Sequence, residues 1–316
     1  MCNEKFLTRE LHLPQMDGVC NCGTITCLKC GDVGHEPLNC DMFTEWNEDL
    51  QNKLDSLNSD WKKKNTKKCP NCKTDIEKNQ GCMHMTCAKC RHHFCWLCLG
   101  DWSKHGSETG GYYKCNIYKP SEADTKGEQY KKRLQFYIDR FLEHKRGLEM
   151  NDDKIKDHIK LLEKKSGSDY WKLNTEVTPG CLDFYIEALK FSAKCRSFIV
   201  YTYPLGFKII DGDQSYLFAQ TQYFLEYALE VLDKFLEKHP MKNLVDRNET
   251  GVCLSKEFSD IKAKAIQLQV NLGEQFKNAK KEFSDREFLE EIEHIFQEKQ
   301  KELLQCKKIF FFIFFL

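Results

Sequence analysis

Cysteine placement constrains this chain more than any other feature. Fourteen of the 18 cysteines lie in the first 115 of 316 residues, and only Cys181, Cys195, Cys253 and Cys306 lie beyond. Residues 1–15 carry Glu4, Lys5, Arg9 and Glu10 without an apolar run, so they do not read as a secretory signal. A reducing compartment follows, the cytoplasm or else the nucleus, and there dense Cys-x2-Cys pairs signify metal rather than disulfides.

A structural zinc ion takes four Cys or His ligands, and residues three apart let one tight turn supply two of them. Residues 69–115 offer three such pairs followed by a histidine and a cysteine. Taken in order, Cys69, Cys72, Cys87 and Cys90 complete one site, and Cys95, Cys98, His105 and Cys115 a second. The segment has few aliphatic residues, so zinc must supply its folding energy, on the order of 10 kcal/mol or more per site. Upstream, Cys27, Cys30, His35 and Cys40 form one more complete set. Cys20 and Cys22 look like half of a further site with Cys2 as a third candidate, so residues 1–40 should hold one complete and one partial zinc site.

This count leaves Cys82 over, within Gly81-Cys82-Met83-His84-Met85. A loop pinned at both ends by metal is a rigid place to present a nucleophile. A thiolate attacks thioesters readily, and His84 can serve as base toward it or toward an incoming amine. The alternative is that Cys82 or His84 is itself a ligand and a different cysteine is spare.

Beyond the cysteines the chain changes character. Thr44 to Lys68 reads as a charged linker ending in Lys62, Lys63, Lys64, Lys67 and Lys68. From residue 121 to about 305 helical stripes recur: Leu134, Ile138, Phe141 and Leu148, then Phe218, Leu225, Leu229, Leu232 and Leu236. Thr178-Pro179 and Ser284 with Glu287 read as helix starts, and Asp211-Gly212-Asp213 as a turn. Four or five helices in an antiparallel bundle are expected. Lys plus Arg and Asp plus Glu balance at 48 each, so no global field favours nucleic acid, and the lysine run reads as solvated linker. Ile309–Leu316 is an apolar tail of eight residues, against roughly 20 for a membrane span.

Cys69-Pro70-Asn71-Cys72, Gly81 to Met85, Phe94-Cys95-Trp96-Leu97-Cys98 and His105-Gly106 together resemble the catalytic second RING-like domain of RING-between-RING ubiquitin ligases. Residues 20–40 resemble the second half of the in-between-RING domain. Residues 121–305, with Lys194-Cys195-Arg196 and Tyr201-Thr202-Tyr203, resemble the helical Ariadne domain of that family. The expected fold is thus small zinc-binding modules followed by an all-α helical bundle. The segments are a partial in-between-RING domain (1–43), a linker (44–68), a catalytic RING-like domain (69–117), the Ariadne domain (121–305) and the tail (306–316).

The resemblance implies a transferase that accepts ubiquitin from a conjugating enzyme as a thioester on Cys82 and passes it to lysines of protein substrates, with His84 as base. It also implies cullin-RING complexes as partners, and a helical domain that folds over Cys82 and restrains it. The positions resembling its acidic contacts are Glu226 and Glu237, eleven residues or about three turns apart on one helix face. Two features depart from the pattern. His93 stands where some relatives carry a glutamate, and the first RING has no counterpart, so a truncated member is expected, with a non-catalytic zinc-binding interaction module as the alternative reading.

Overall fold

The computed structural model describes residues 17–19, 24–56, 66–77, 83–105, 115, 118–166, 179–209, 213–248 and 251–283. Cys2, Cys20, Cys22 and Cys82, the cap residues Thr178, Ser284 and Glu287, and the tail lie outside these residues, so the partial zinc site and the reactivity of Cys82 stand as expectations from the sequence.

Short antiparallel hairpins scaffold the cysteine-rich part. β1 (Asp17–Val19) pairs with β2 (Ile25–Cys27), and α1 (Cys40–Ser56) follows. β3 (Thr66–Lys68) pairs with β4 (Asp75–Glu77), and β5 (His84–Thr86) with β6 (His93–Cys95), in the register His84 opposite Cys95 and Thr86 opposite His93. A 3-10 turn, Trp102–His105, closes the module. Its only apolar centre among the described residues is Met83, Phe94 and Trp96, flanked by Ile76, Met85 and Leu97. So small a core leaves folding to the metal.

The rest is helical. α2 (Lys126–Ser166) starts at a capping box in which Thr125 Oγ1 accepts from the Glu128 amide and Glu128 accepts from the Thr125 amide and hydroxyl. α3 (Asp183–Lys208) packs against α2, and α3, α4 (Asp213–Lys238) and α5 (Phe258–Phe283) pack against one another. Pro179 opens a 3-10 turn, Pro179–Leu182, that leads into α3; of the expected turn, Asp211 and Gly212 lie outside the described residues and Asp213 is the first residue of α4. The two predicted stripes sit in the core: Ile138 and Phe141 are buried with Leu134 and Leu148 against them, and Phe218, Leu225, Leu229, Leu232 and Leu236 are all buried. A hairpin of β7 (Val245–Asn248) and β8 (Gly251–Leu254) joins α4 to α5, where the sequence reading expected helices alone. No described helix is long and apolar enough to cross a membrane.

One expectation is corrected. The stretch read as a linker from residue 44 is helical through Ser56, because α1 carries Met42, Phe43, Trp46 and Leu50 at near-helical spacing and buries them in the main core. Phe43 meets Tyr201 of α3, Trp46 meets Phe141 of α2, and Lys208 of α3 ion-pairs with Glu45. The first zinc module is thereby built into the helical bundle.

Candidate active site at the second zinc module

Each Cys-x2-Cys pair forms the same knuckle. The amide of the residue after the second cysteine donates to the first cysteine's carbonyl: Gly31 to Cys27 at 3.0 Å, Lys73 to Cys69 at 3.0 Å, Arg91 to Cys87 at 2.8 Å and Leu99 to Cys95 at 2.8 Å. That residue sits in the left-handed region, with φ of 79°, 60°, 57° and 59° in the same order. Only the first is glycine, so three knuckles hold side chains in a conformation L-residues disfavour.

The knuckles gather the ligands into three sets: Cys27, Cys30, His35 and Cys40; Cys69, Cys72, Cys87 and Cys90; Cys95, Cys98, His105 and Cys115. Within each set the ligand atoms lie within 4.8 Å of one another. Both histidines are buried and turn Nε2 to the sulfurs, His35 at 3.4 Å from Cys30 Sγ and His105 at 3.3 Å from Cys98 Sγ. Nδ1 of each donates to a backbone carbonyl, His35 to Leu38 at 3.0 Å and His105 to Asp101 at 2.9 Å, which fixes the metal-binding tautomer. Among the bare thiols, burial and then the charge of Cys27 push Cys40 up to about 12. Hydrogen bonds from Thr74 pull Cys72 down to about 6. Three or four sulfurs this close cannot all ionise without a cation between them, and a tetrahedral zinc fits each donor set.

His84, on β5, faces out of the module. Its ring stacks on Trp102 at 4.3 Å between centroids and 8° between planes, and Trp102 stacks in turn on His105. Its Nε2 lies 3.0 Å from Nδ1 of His93, and its Nδ1 lies 2.7 Å from Nζ of Lys234 on α4. Burial, then the Lys234 charge, lowers the His84 pKa to about 4, so the imidazole is neutral.

Two helices grip the module around this point. On α4, Glu230 Oε1 accepts from the amide of Met83, the residue next to Cys82, at 2.9 Å in a buried contact. On α2, Glu143 Oε2 accepts from the buried indole of Trp96 at 3.0 Å and its Oε1 lies 3.5 Å from Lys67. Lys67 itself donates to the Trp96 carbonyl at 2.9 Å and lies over the ring. Arg140, one helical turn before His144, hydrogen-bonds the carbonyl of Cys115.

Glu226 spends its carboxylate inside the bundle, where the Tyr203 hydroxyl donates to it at 2.6 Å and His144 Nε2 lies 2.8 Å from the same hydroxyl. Burial pushes Glu226 up to about 8, against the opposing hydrogen bond from Tyr203. Glu237 lies near Tyr185, whose phenol burial, and that carboxylate's charge after it, raise to about 12. Among the described residues, α4 reaches the zinc module through Glu230, one turn beyond Glu226, and Lys234, a turn further; sequence reading missed both, and Glu143 on α2 too. The spacing of Glu230 and Lys234 from Glu226, four and eight residues on, was the available signal on α4.

Paired knuckles, eight ligands and a helical bundle that grips the module at Met83 and Trp96 define a RING-between-RING type of zinc protein. The family profile described as IBR domain matches residues 64–112, which is the module read above as the second RING-like domain. Among relatives, "Probable E3 ubiquitin-protein ligase ARI8" of Arabidopsis thaliana is 33% identical over 267 residues, 82% of this chain and 46% of the relative. "E3 ubiquitin-protein ligase ariadne-1" of Drosophila melanogaster is 33% identical over 239 residues, 72% and 44% of the two chains. "Probable E3 ubiquitin-protein ligase rbrA" of Dictyostelium discoideum is 37% identical over 230 residues, 68% and 41%. The chain belongs to the Ariadne class of the RING-between-RING family. It spans less than half the length of these relatives.

Proposed function

We propose that this chain transfers ubiquitin through Cys82 and that α2 and α4 hold it in a closed, restrained state. The observation that carries the reading is the ligand account: the two clusters of the second module are complete at four donors each without Cys82, while His84 beside it is a neutral imidazole outside both sets. The relatives' names and the shared family support the same chemistry.

In loading, the Cys82 thiolate attacks the carbonyl of the thioester linking ubiquitin to a conjugating enzyme, and that enzyme's thiolate leaves. In discharge, a substrate lysine amine attacks the new thioester, gives up a proton to His84 and expels the Cys82 thiolate. Zinc shapes the module and takes no part in either step. Closure opposes both, because Glu230 sits on the peptide adjoining the nucleophile and Lys234 on the base. A conjugating enzyme, ubiquitin and protein substrates are the proposed partners, with cullin-RING complexes as further proposed partners, and the cytoplasm, extending to the nucleus, is the proposed site of action.

The test incubates zinc-replete chain with ubiquitin-charged conjugating enzyme. An adduct that a thiol reductant removes should form on the wild type and not on Cys82→Ala at equal zinc content. An adduct that survives reduction, or persists in Cys82→Ala, would reject Cys82 as the carrier.

A further inference from the structure

Two hydrogen bonds settle which nitrogen of His84 carries the proton. Lys234 Nζ is 2.7 Å from Nδ1. An ammonium has donors only, so Nδ1 is the accepting nitrogen. The ring proton therefore sits on Nε2 and points at Nδ1 of His93, 3.0 Å away, a nitrogen that Thr86 Oγ1 also approaches at 3.0 Å. The ring cannot swivel away from this arrangement while Trp102 lies stacked against it. Lys234 is itself placed twice, 3.9 Å from Glu230 one turn earlier and 5.3 Å above the Trp102 ring.

We infer that Lys234 is a second closure element, acting on the base rather than on the nucleophile. It occupies the lone pair that His84 would use to take a proton from an incoming amine, and it selects the tautomer in which Nδ1 is the working nitrogen. The inference rests on the transfer reaction proposed above and adds a residue to its regulation. Glu230 closes the module by gripping the backbone beside Cys82; Lys234 disables the proton acceptor even when thioester is present. When α4 withdraws, Nδ1 is released already unprotonated, and His93 keeps the ring oriented through Nε2–H. The attacking amine then bonds to the thioester carbonyl carbon, its proton passes to Nδ1, and the carbon–sulfur bond breaks to free the Cys82 thiolate. His93 thus accepts from the ring where some relatives offer a carboxylate.

Lys234 is part-exposed, so Lys234→Met, which keeps the apolar stem, should fold, and Lys234→Arg restores the donors. The full zinc-replete chain, labelled with nitrogen-15 in histidine, gives the first readout, His84 being assigned by its loss in His84→Gln. The wild type should show Nε2 protonated and Nδ1 hydrogen-bonded. Lys234→Met should move the Nδ1 resonance toward that of a free acceptor, and Lys234→Arg should leave it near wild type. The second readout is single-turnover transfer in a Glu230→Ala background, where the backbone grip is already released. Adding Lys234→Met there should speed discharge to free lysine by about threefold to tenfold, the worth of one hydrogen bond, and speed loading less. Equal acceleration of both steps, or an unmoved Nδ1 resonance, would overturn the lock while leaving the transfer reading in place. Failure of every variant to form a thioester would sink the transfer reading itself, and with it any role for a lock.

Discussion

Glu230 of α4 accepts a hydrogen bond from the backbone amide of Met83 at 2.9 Å, and that amide belongs to the peptide joining Met83 to Cys82. A helix from the bundle is thereby fastened to the second zinc module beside Cys82, the proposed nucleophile. The bond is buried and its acceptor is a carboxylate, so it outweighs a surface contact.

Loss of this grip should expose Cys82. A hydrogen bond to a charged group contributes about 1.5–3 kcal/mol, which in a closed–open equilibrium corresponds to roughly a tenfold to hundredfold rise in the open population. Glu230→Ala is therefore expected to speed alkylation of Cys82 by a small thiol probe by at least about tenfold at unchanged zinc content. Glu226→Gln should leave the alkylation rate near wild type, because that carboxylate bonds Tyr203 within the bundle. Equal rates for wild type and Glu230→Ala would mean that the contact does not guard the cysteine.

Burial pushes the Glu226 pKa up to about 8, above the ordinary value of 4.5, so the folded protein binds this proton more tightly than the unfolded chain. Stability from the neutral acid is fully present below about pH 4.5 and is lost as pH rises toward about 8. Glu226→Gln imitates the neutral acid and cannot ionise. The variant should match wild type near pH 4, exceed it increasingly as pH rises to about 8, and hold a constant advantage beyond that in urea unfolding. A stability difference independent of pH would show that Glu226 is ionised throughout.

Each described cluster should hold one zinc, so total metal should reach at least three per chain. Cys72→Ser should unfold the second module, since Met83, Phe94 and Trp96 are too few to hold it, and so lower the total by about two, the metal of both its sites. The bundle should survive, because its core comes from α1 to α5. Near-ultraviolet circular dichroism and metal analysis together distinguish this outcome from global unfolding, which would tie the helices to the zinc more closely than their own packing does.

The three clusters were legible in the sequence because ligand spacing encodes a local turn, and the knuckle geometry at Cys69, Cys87 and Cys95 is local too. The helical stripes were legible for the same reason of short-range periodicity. α1 was obscured because Glu45, Asn47, Glu48 and Asp49 crowd around Phe43, Trp46 and Leu50 and give the segment the composition of a linker. The choice between Glu226 and Glu230 was harder, since both lie on one stripe. Tyr203 and His144 come from two other helices to claim Glu226, and a long-range contact of that kind leaves no mark in local pattern. The β7–β8 hairpin was missed because its two strands are only four residues each and sit between strongly helical segments.

The left-handed knuckle residues offer a test of local strain. Lys73, Arg91 and Leu99 hold φ near 60°, where a side chain costs about 1–2 kcal/mol relative to the right-handed region. Glycine removes that cost and gives back about 0.5–1 kcal/mol through the freedom of the unfolded chain. Arg91→Gly is therefore expected to slow zinc loss to a chelator slightly, and Arg91→Val, branched at Cβ, to speed it severalfold. The reverse ranking would place the cost of the knuckle elsewhere than in this dihedral.

The α2 side of the grip can be separated from the α4 side. Glu143 accepts from the buried Trp96 indole and ion-pairs with Lys67, so Glu143→Ala strips both and leaves the indole N–H buried without its acceptor. Trp96→Phe removes the donor and leaves the Glu143 carboxylate facing a hydrocarbon ring, which should open the module by a similar amount. Because α2 and α4 hold different atoms of the module, Trp96 on one side and Met83 on the other, their contributions to closure should add in free energy. The rise in Cys82 alkylation in Glu143→Ala with Glu230→Ala should then equal the product of the two single-variant rises, measured while the open form is still the minority. A double variant no more reactive than Glu230→Ala alone would mean that α4 releases the module by itself and that α2 only supports its fold. A rise well above the product would mean that each helix holds the other in place.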